Sequence, residues 1–141
     1  MRTVARTAAA LAALTLPLTA CGTSDSPASQ PDTTTVAEAP GAAIGHRFTP
    51  DPTILEPHTV PLDSWTRLSD NTIAVNFQTG NPQCFGIDAT VTESPDSVTI
   101  TLHGGTRADA AGKMCTMNLI FGTTELPLQS PLGTRQVLGT K

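Results

Sequence analysis

The cysteine at position 21 limits how the rest of this chain can fold, because the residues in front of it decide what its sulfur is used for. Arg2 and Arg6 give a positive start, and residues 8–18 form an apolar run broken only by Thr15 and Pro17. Leu18-Thr19-Ala20-Cys21 then closes that run. A basic start, a short apolar middle and small residues before a cut site are the three parts of a secretory signal peptide. A cysteine directly after the small pair turns the cut site into a lipobox, whose thiol takes a diacylglycerol thioether before cleavage. The apolar run is too short for the roughly 20 residues that span a bilayer. Residues 1–20 therefore read as a lipoprotein signal peptide, with Cys21 as the lipidation site. Acyl chains contribute about 0.8 kcal/mol per buried CH₂, so two or three of them hold a protein firmly on a membrane. The expected location is extracytoplasmic, lipid-anchored to the cell membrane. There is no twin-arginine pair, so general secretion is the simpler export route.

With Cys21 assigned to lipid, Cys84 and Cys115 remain, an even pair in an exported protein. Oxidising compartments favour a disulfide between them. Closing a loop of about 31 residues contributes roughly 3–4 kcal/mol on chain-entropy grounds. That is a large share of the usual margin for a chain with four Phe, one Trp and no Tyr. A metal or redox site is the competing use. There is no CxxC, and His46, His58 and His103 lack metal-ligand spacing, so neither a metal nor a cofactor is expected.

Charge excludes one class of partner. Removing Arg2 and Arg6 from the 8 basic residues leaves six against 12 acids, a formal charge of −6. Nucleic-acid binding needs a basic surface, which this chain lacks. No polybasic patch adds to the lipid as an anchor either.

Residues 21–47 are built from Ser, Thr, Pro, Ala, Gly and Gln, with no base before His46 and Arg47. They show neither a helical nor a two-residue apolar rhythm, and read as a lipidated, disordered linker. As a coil of about 26 residues it would hold the domain beyond it roughly 30 Å from the membrane. Its Thr33-Thr34-Thr35 run beside Pro31 is also a candidate for O-linked sugar.

Residues 48–141 change to short β-runs between Gly, Pro, Asn and Asp. Pro50, Pro52 and Pro57 suggest an extended lead-in, and residues 60–68 a first strand carrying Trp65. In residues 72–79, Ile73, Val75 and Phe77 alternate with Thr72, Ala74 and Asn76. Residues 85–93 and 98–102 form a hairpin around Ser94-Pro95-Asp96-Ser97. Ile87, Ala89, Val91, Val98, Ile100 and Leu102 line its inner face and threonines its outer face. Residues 103–114 read as a loop. Residues 115–122 read as a strand with Cys115, Met117, Leu119 and Phe121 on one face, and residues 124–128 and 135–138 as two closing strands. Six or seven such strands without a helix predict an all-β, disulfide-stapled sandwich or barrel-like domain.

The disulfide constrains the topology. In a plain meander the strands beginning near Cys84 and Cys115 would stand two strands apart, about 9.5 Å, against the ~7 Å limit for bridged Cα atoms. Either the Cys115 strand crosses to another sheet, or the bridge lies in the flanking loops. Strict alternation also puts Cys84 opposite Ile87, so a bulge at Gly86 is predicted to return it to the inner face.

The run Gly80-Asn81-Pro82-Gln83-Cys84-Phe85-Gly86, the Glu93-Ser94-Pro95-Asp96 turn followed by Val98-Thr99-Ile100-Thr101, then Cys115 and Pro131-Leu132-Gly133-Thr134-Arg135, resembles small uncharacterised secreted proteins and lipoproteins of actinobacteria. The resemblance covers roughly residues 65–137. It implies an envelope protein with a paired disulfide and supplies no activity.

No catalytic constellation emerges. His103-Gly104-Gly105 is similar to an esterase oxyanion loop, but the GxSxG elbow that would accompany it is absent, and a strand ending in a glycine turn is the plainer reading. Trp65 with Arg67 reads either as a stacking platform for a sugar or peptide or, for the tryptophan, as core. Arg107 and Lys113 lie in the longest domain loop, and Arg135 follows a Pro-Leu-Gly turn; each is a candidate contact for a partner. The function expected is a binding or accessory module of the cell envelope, its partner an envelope protein or glycan. A small hydrolase using His103 and a passive structural lipoprotein are the rivals.

Overall fold

The computed structural model describes residues 32–39, 41 and 45–141. The expected signal peptide, the expected lipidation site Cys21 and the first part of the expected linker lie outside the described residues. Among the described residues nine strands run in order: β1 (Thr33–Thr35), β2 (His46–Phe48), β3 (Leu55–Val60), β4 (Leu62–Ser69), β5 (Thr72–Thr79), β6 (Phe85–Glu93), β7 (Ser97–Thr106), β8 (Ile120–Pro127) and β9 (Gln136–Thr140). A 3₁₀ turn, Ala108–Ala110, interrupts the β7–β8 connection. The fold is the all-β, sandwich-like architecture that the alternating runs predict.

β7 is the spine of the first sheet. β6 pairs along one side of it, antiparallel and in unbroken register from Phe85↔Thr106 to Glu93↔Val98. The other side is shared end to end: β9 runs parallel to residues 97–100, and β3 antiparallel to residues 102–106. β1 adds outside β9. The second sheet has the order β2-β8-β5-β4, with β2 parallel to β8 and the other pairs antiparallel. Pro61 stands between β3 and β4, where the chain passes from one sheet to the other. The segment 60–68, expected as one strand, is thus two strands in different sheets. The lead-in before it supplies β3, whose register shifts between Leu55 and His58. Glu56 takes a left-handed φ of 50° there, so the bulge occupies the position ahead of Pro57.

The two central strands carry the cleanest apolar alternation, and they supply the core. Ile73, Val75 and Phe77 of β5 face Val98, Ile100 and Leu102 of β7, and all six are fully buried. Burying each such side chain is worth about 1.5–3 kcal/mol. Ile87, Leu126, Leu132 and Val137 complete the layer, with Trp65 opposite Val75 in the β4–β5 pair.

Residues 32–39 and 46–47, expected in the disordered linker, belong to the fold, the latter continuing into residues 48–51 of the expected domain. After β1, the Val36 N–H donates to Val137 O, and residues 37–39 bracket Trp65: Trp65 N–H donates to Ala37 O and Ala39 N–H to Trp65 O. The Trp65 indole Nε1 donates to Val36 O at 3.0 Å, and the Thr66 hydroxyl to Ala39 O. At the opposite corner, β2 lies beside β8, and Asp51 N–H just beyond it donates to Ile87 O of β6. Each stretch therefore bonds to both sheets and closes one corner between them. Val36 and Phe48 enter the core from these stretches. Composition misreads them because pairing at a sheet edge needs only backbone groups, β-branched Thr and one apolar anchor, not an amphipathic run.

Three further expectations are corrected. No bulge occurs at Gly86; Cys84 reaches the interior on a turn in which Cys84 and Phe85 N–H both donate to Asn81 O. Gly104 and Gly105 do not end a strand but lie inside β7. A Cβ at Gly104 would come within 2.7 Å of Val60 and one at Gly105 within 2.5 Å of Leu55 O, so close approach of β3 requires both glycines. Residues 115–119 are not a strand: β8 begins at Ile120 and turns Gly122, Thr124 and Leu126 inward, leaving Met117, Leu119 and Phe121 outside. Gly122 selects that parity, since a Cβ there would stand 2.6 Å from the Phe77 ring and 2.8 Å from the Phe48 ring.

A chain starting at Phe48 is expected to be much less stable than one starting at Asp32. It loses Val36 burial, about 1.5–3 kcal/mol, and leaves a buried indole N–H unpaired, about 1–3 kcal/mol more. Thermal melts of the two chains check this; equal midpoints would return residues 32–39 to a tether.

Candidate functional site

The disulfide marks one end of the molecule. Cys84 sits in the turn before β6 and Cys115 in the loop after β7, with Cα atoms 6.0 Å apart, so the bridge joins flanking segments rather than strands. The chain also changes sheets between β7 and β8, and both ways around the meander problem are used. Arg107 N–H donates to Cys84 O, pinning the start of the same loop.

Phe85, next to Cys84, is the hub of this end. Its half-buried ring lies over Gly80, where a Cβ would stand 2.7 Å from Cε2, and it lines three adjoining clefts. One, of about 410 Å³, runs between His58, Val60, Gln78 and Phe85 on one side and Met117 and Leu119 on the other. A second, of about 650 Å³, opens between Leu55, Phe85 and the loop through Ala111 and Lys113. Along the rim Met114 is 102% exposed, Met117 88%, Leu119 71% and Phe121 65%. Four large apolar side chains within eight residues of sequence form a ridge facing solvent. Large apolar side chains exposed this fully within one short segment mark a surface that something covers in use. The sequence reading put Met117, Leu119 and Phe121 with Cys115 on the inner face of one strand and left Met114 in a loop; the structure instead exposes all three with Met114, and only Phe121 of them lies on a strand.

The charged candidates take other roles. Arg107 is committed to Asp109 through two hydrogen bonds of 3.0 and 3.1 Å. That pair lowers the Asp109 carboxyl and raises the Arg107 guanidinium. Nearby Asp51 is also held low, chiefly by the Thr53 hydroxyl and then by the Thr53 N–H. Lys113 is exposed on the loop beside the ridge.

Trp65 and Arg67 do not make an open platform. Trp65 is 6% exposed and belongs to the core. Arg67 lies 5.7 Å from its ring centroid, donates to Gly133 O at 3.1 Å and faces Glu38 at 4.0 Å. His103 occupies the middle of β7, across from Asp88 of β6 and Thr59 of β3, and no side-chain hydrogen bond engages it among the described residues. No group of three or more His, Cys, Asp or Glu able to hold a metal occurs among the described residues.

Arg135, expected as a free contact, is a structural tie at the far end. Its side chain is 10% exposed and Glu93 14%. It donates to Glu93 Oε2 at 2.8 Å, Ser130 O at 2.7 Å and Pro131 O at 2.9 Å. Gln129 and Ser130 N–H donate to the same carboxylate, so the loop between β8 and β9 is fastened to the β6–β7 turn. The Pro-Leu-Gly turn that made Arg135 look like a contact residue wraps its guanidinium instead. No protein-family model matches this chain, and no curated protein or solved structure matches it.

The Glu93 carboxyl is held below its ordinary value of 4.5, first by the Gln129 N–H and then by the Arg135 guanidinium. A carboxylate depressed in the folded state adds stability that is present above its unfolded pKa and lost as pH falls through the folded one. Glu93→Gln is therefore expected to melt below the wild type at neutral pH. The gap should narrow as pH is taken below 4.5. Melts of both proteins across that range check it; Asp51 and Asp109 titrate in both and cancel. A gap that stays constant with pH would remove the charge from the tie.

Proposed function

We propose that this protein is a lipid-anchored extracytoplasmic binding or accessory module of the cell envelope, tethered through Cys21, whose contact surface is the disulfide end. The observation that carries the binding role is the solvent-facing ridge of Met114, Met117, Leu119 and Phe121 around the Phe85 clefts. The anchor rests on the Arg2/Arg6 start, the apolar run and Leu18-Thr19-Ala20-Cys21. The Cys84–Cys115 bridge supports an oxidising compartment. The resemblance to actinobacterial lipoproteins agrees with that address.

The chemistry of the ridge narrows the partner. A glycan would call for an exposed aromatic platform, yet Trp65 is core and Phe121 is the ridge's one aromatic. Apolar side chains in series, with a single lysine among them, suit an apolar counterpart. A passive lipoprotein would have no use for such a patch.

Two results are expected. Cys21→Ala should release the protein to the medium or trap its precursor, with the acyl mass missing from the Cys21 peptide; unchanged membrane retention would sink the anchor. A photo-crosslinking side chain at Met117 should give adducts in intact cells that the same group at Thr92, exposed on the opposite end, does not. Equal yields from the two positions would remove the disulfide end as the contact surface.

A further inference from the structure

We infer that the ridge docks on the bilayer that carries the anchor, so that Met114, Met117, Leu119 and Phe121 rest among the headgroups and upper acyl chains and hold the domain disulfide end down. The inference rests on the lipid anchor proposed above and adds the partner of its contact surface.

The strand registers give the direction in which the chain leaves the fold. Thr35 pairs with Leu138, which lies beside Thr99 of β7, and Thr34 with Gly139, beside Ile100. Lys141 N–H donates to Asp32 O, one step further along. Followed backwards from Thr35 to Asp32, the chain climbs along β7 toward Thr106. Thr106 is the level of Phe85 and Leu55, the rim of the disulfide end. The lipid-bearing side of the chain therefore heads toward the ridge and away from the Glu93–Arg135 tie.

Length then limits the distance. Eleven residue steps separate Cys21 from Asp32, and at 3.3–3.6 Å per residue they reach at most about 36–40 Å. A linker through residue 47 would have reached more than twice as far. With β1 locked into the first sheet, the exit point stays within that distance of the membrane, and the end of the domain nearest the exit point is the one turned toward it.

The charge on that end suits an interface. Residues 110–124 contain no acid in a chain whose acids outnumber its bases, and Lys113 is their one charge. Arg107 and Asp109 neutralise each other, Asp51 is tied to Thr53, and Lys141 sits beside the exit point. Two exposed carboxylates at that end have no cationic partner among the described residues: Glu56, and Asp63, which accepts from the Gln78 amide. Exposed Met, Leu and Phe with a flanking lysine are the side chains that interfacial segments place at the headgroup boundary.

The sequence offers a direct probe. The chain has three methionines, and from Cys21 onward the two that remain are Met114 and Met117. Labelling methionine methyls with ¹³C thus lights only the proposed contact. The chain from Cys21 onward, which holds every described residue, also keeps one free thiol once Cys84 and Cys115 are bridged. That thiol can be coupled to a maleimide lipid in phosphatidylcholine nanodiscs containing 5-doxyl phosphatidylcholine.

Both methyl signals are expected to lose most of their intensity to the lipid-borne nitroxide and to be shielded from a water-soluble paramagnetic agent. Met117→Ser with Leu119→Ser, at sites too exposed to disturb folding, should abolish the quenching of the Met114 methyl. Methyls that stay sharp beside the nitroxide and open to the aqueous agent would overturn docking. Shielding from the aqueous agent without nitroxide quenching, together with a doubled particle mass, would assign the ridge to a second copy and overturn it too. Because the coupling is chemical, the outcome does not depend on whether cells acylate Cys21. A native Cys21 peptide without acyl mass defeats the anchor reading alone.

Discussion

A buried indole N–H has to be given an acceptor, and here that requirement decides how the two sheets are joined. Trp65 is the largest side chain in a core with few aromatics, and its Nε1 finds Val36 O. Meeting it brings residues 36–39 alongside β4, while the residues just before them pair with β9 of the other sheet. One short segment thus satisfies the tryptophan, covers two open sheet edges and places Val36 in the core. Residues 48–51 do the equivalent work at the opposite corner, with Phe48 as the apolar anchor. A sandwich this poor in aromatic mass depends on these closures as much as on the disulfide.

Legibility followed from how each element is stabilised. β5 and the β6–β7 hairpin could be read directly, because central strands buried on one face must alternate and their turns must break. The bridge between Cys84 and Cys115 was legible from the even pair of cysteines left once Cys21 is set aside and from the compartment the leader leads one to expect. The edge segments β1 and β2 were not: an edge strand is held by backbone hydrogen bonds to its neighbour, and backbone groups leave no trace in composition. The parity of β8 failed for a different reason. Cys115, Met117, Leu119 and Phe121 alternate as a core face does, but Gly122 is the residue the Phe77 and Phe48 rings leave room for. Packing against those rings outweighs the local pattern.

The charged residues illustrate the same separation between type and role. An arginine after a Pro-Leu-Gly turn carries no sign of whether its guanidinium faces solvent or is folded back on the turn. Arg135 is folded back, with four loop carbonyls and one carboxylate within its reach. Arg67 and Arg107 are likewise occupied, by Gly133 O and Asp109. The candidate site that remains is apolar, and it was hidden because exposed and buried alternation look alike on paper.

That misread alternation and the misread linker bear on one another. Had residues 21–47 formed a long free tether, the ridge would have no preferred direction relative to the membrane. Incorporating β1 removes much of the slack and fixes the exit of the chain on the axis of β7, toward the ridge. In the proposed docking such an anchor orients the domain as well as holding it, and the bilayer is what covers the apolar rim at the anchored end. The polar, tightly tied loops around Glu93 and Arg135 lie at the other end of the molecule, where the fold supplies a rigid surface rather than an adhesive one.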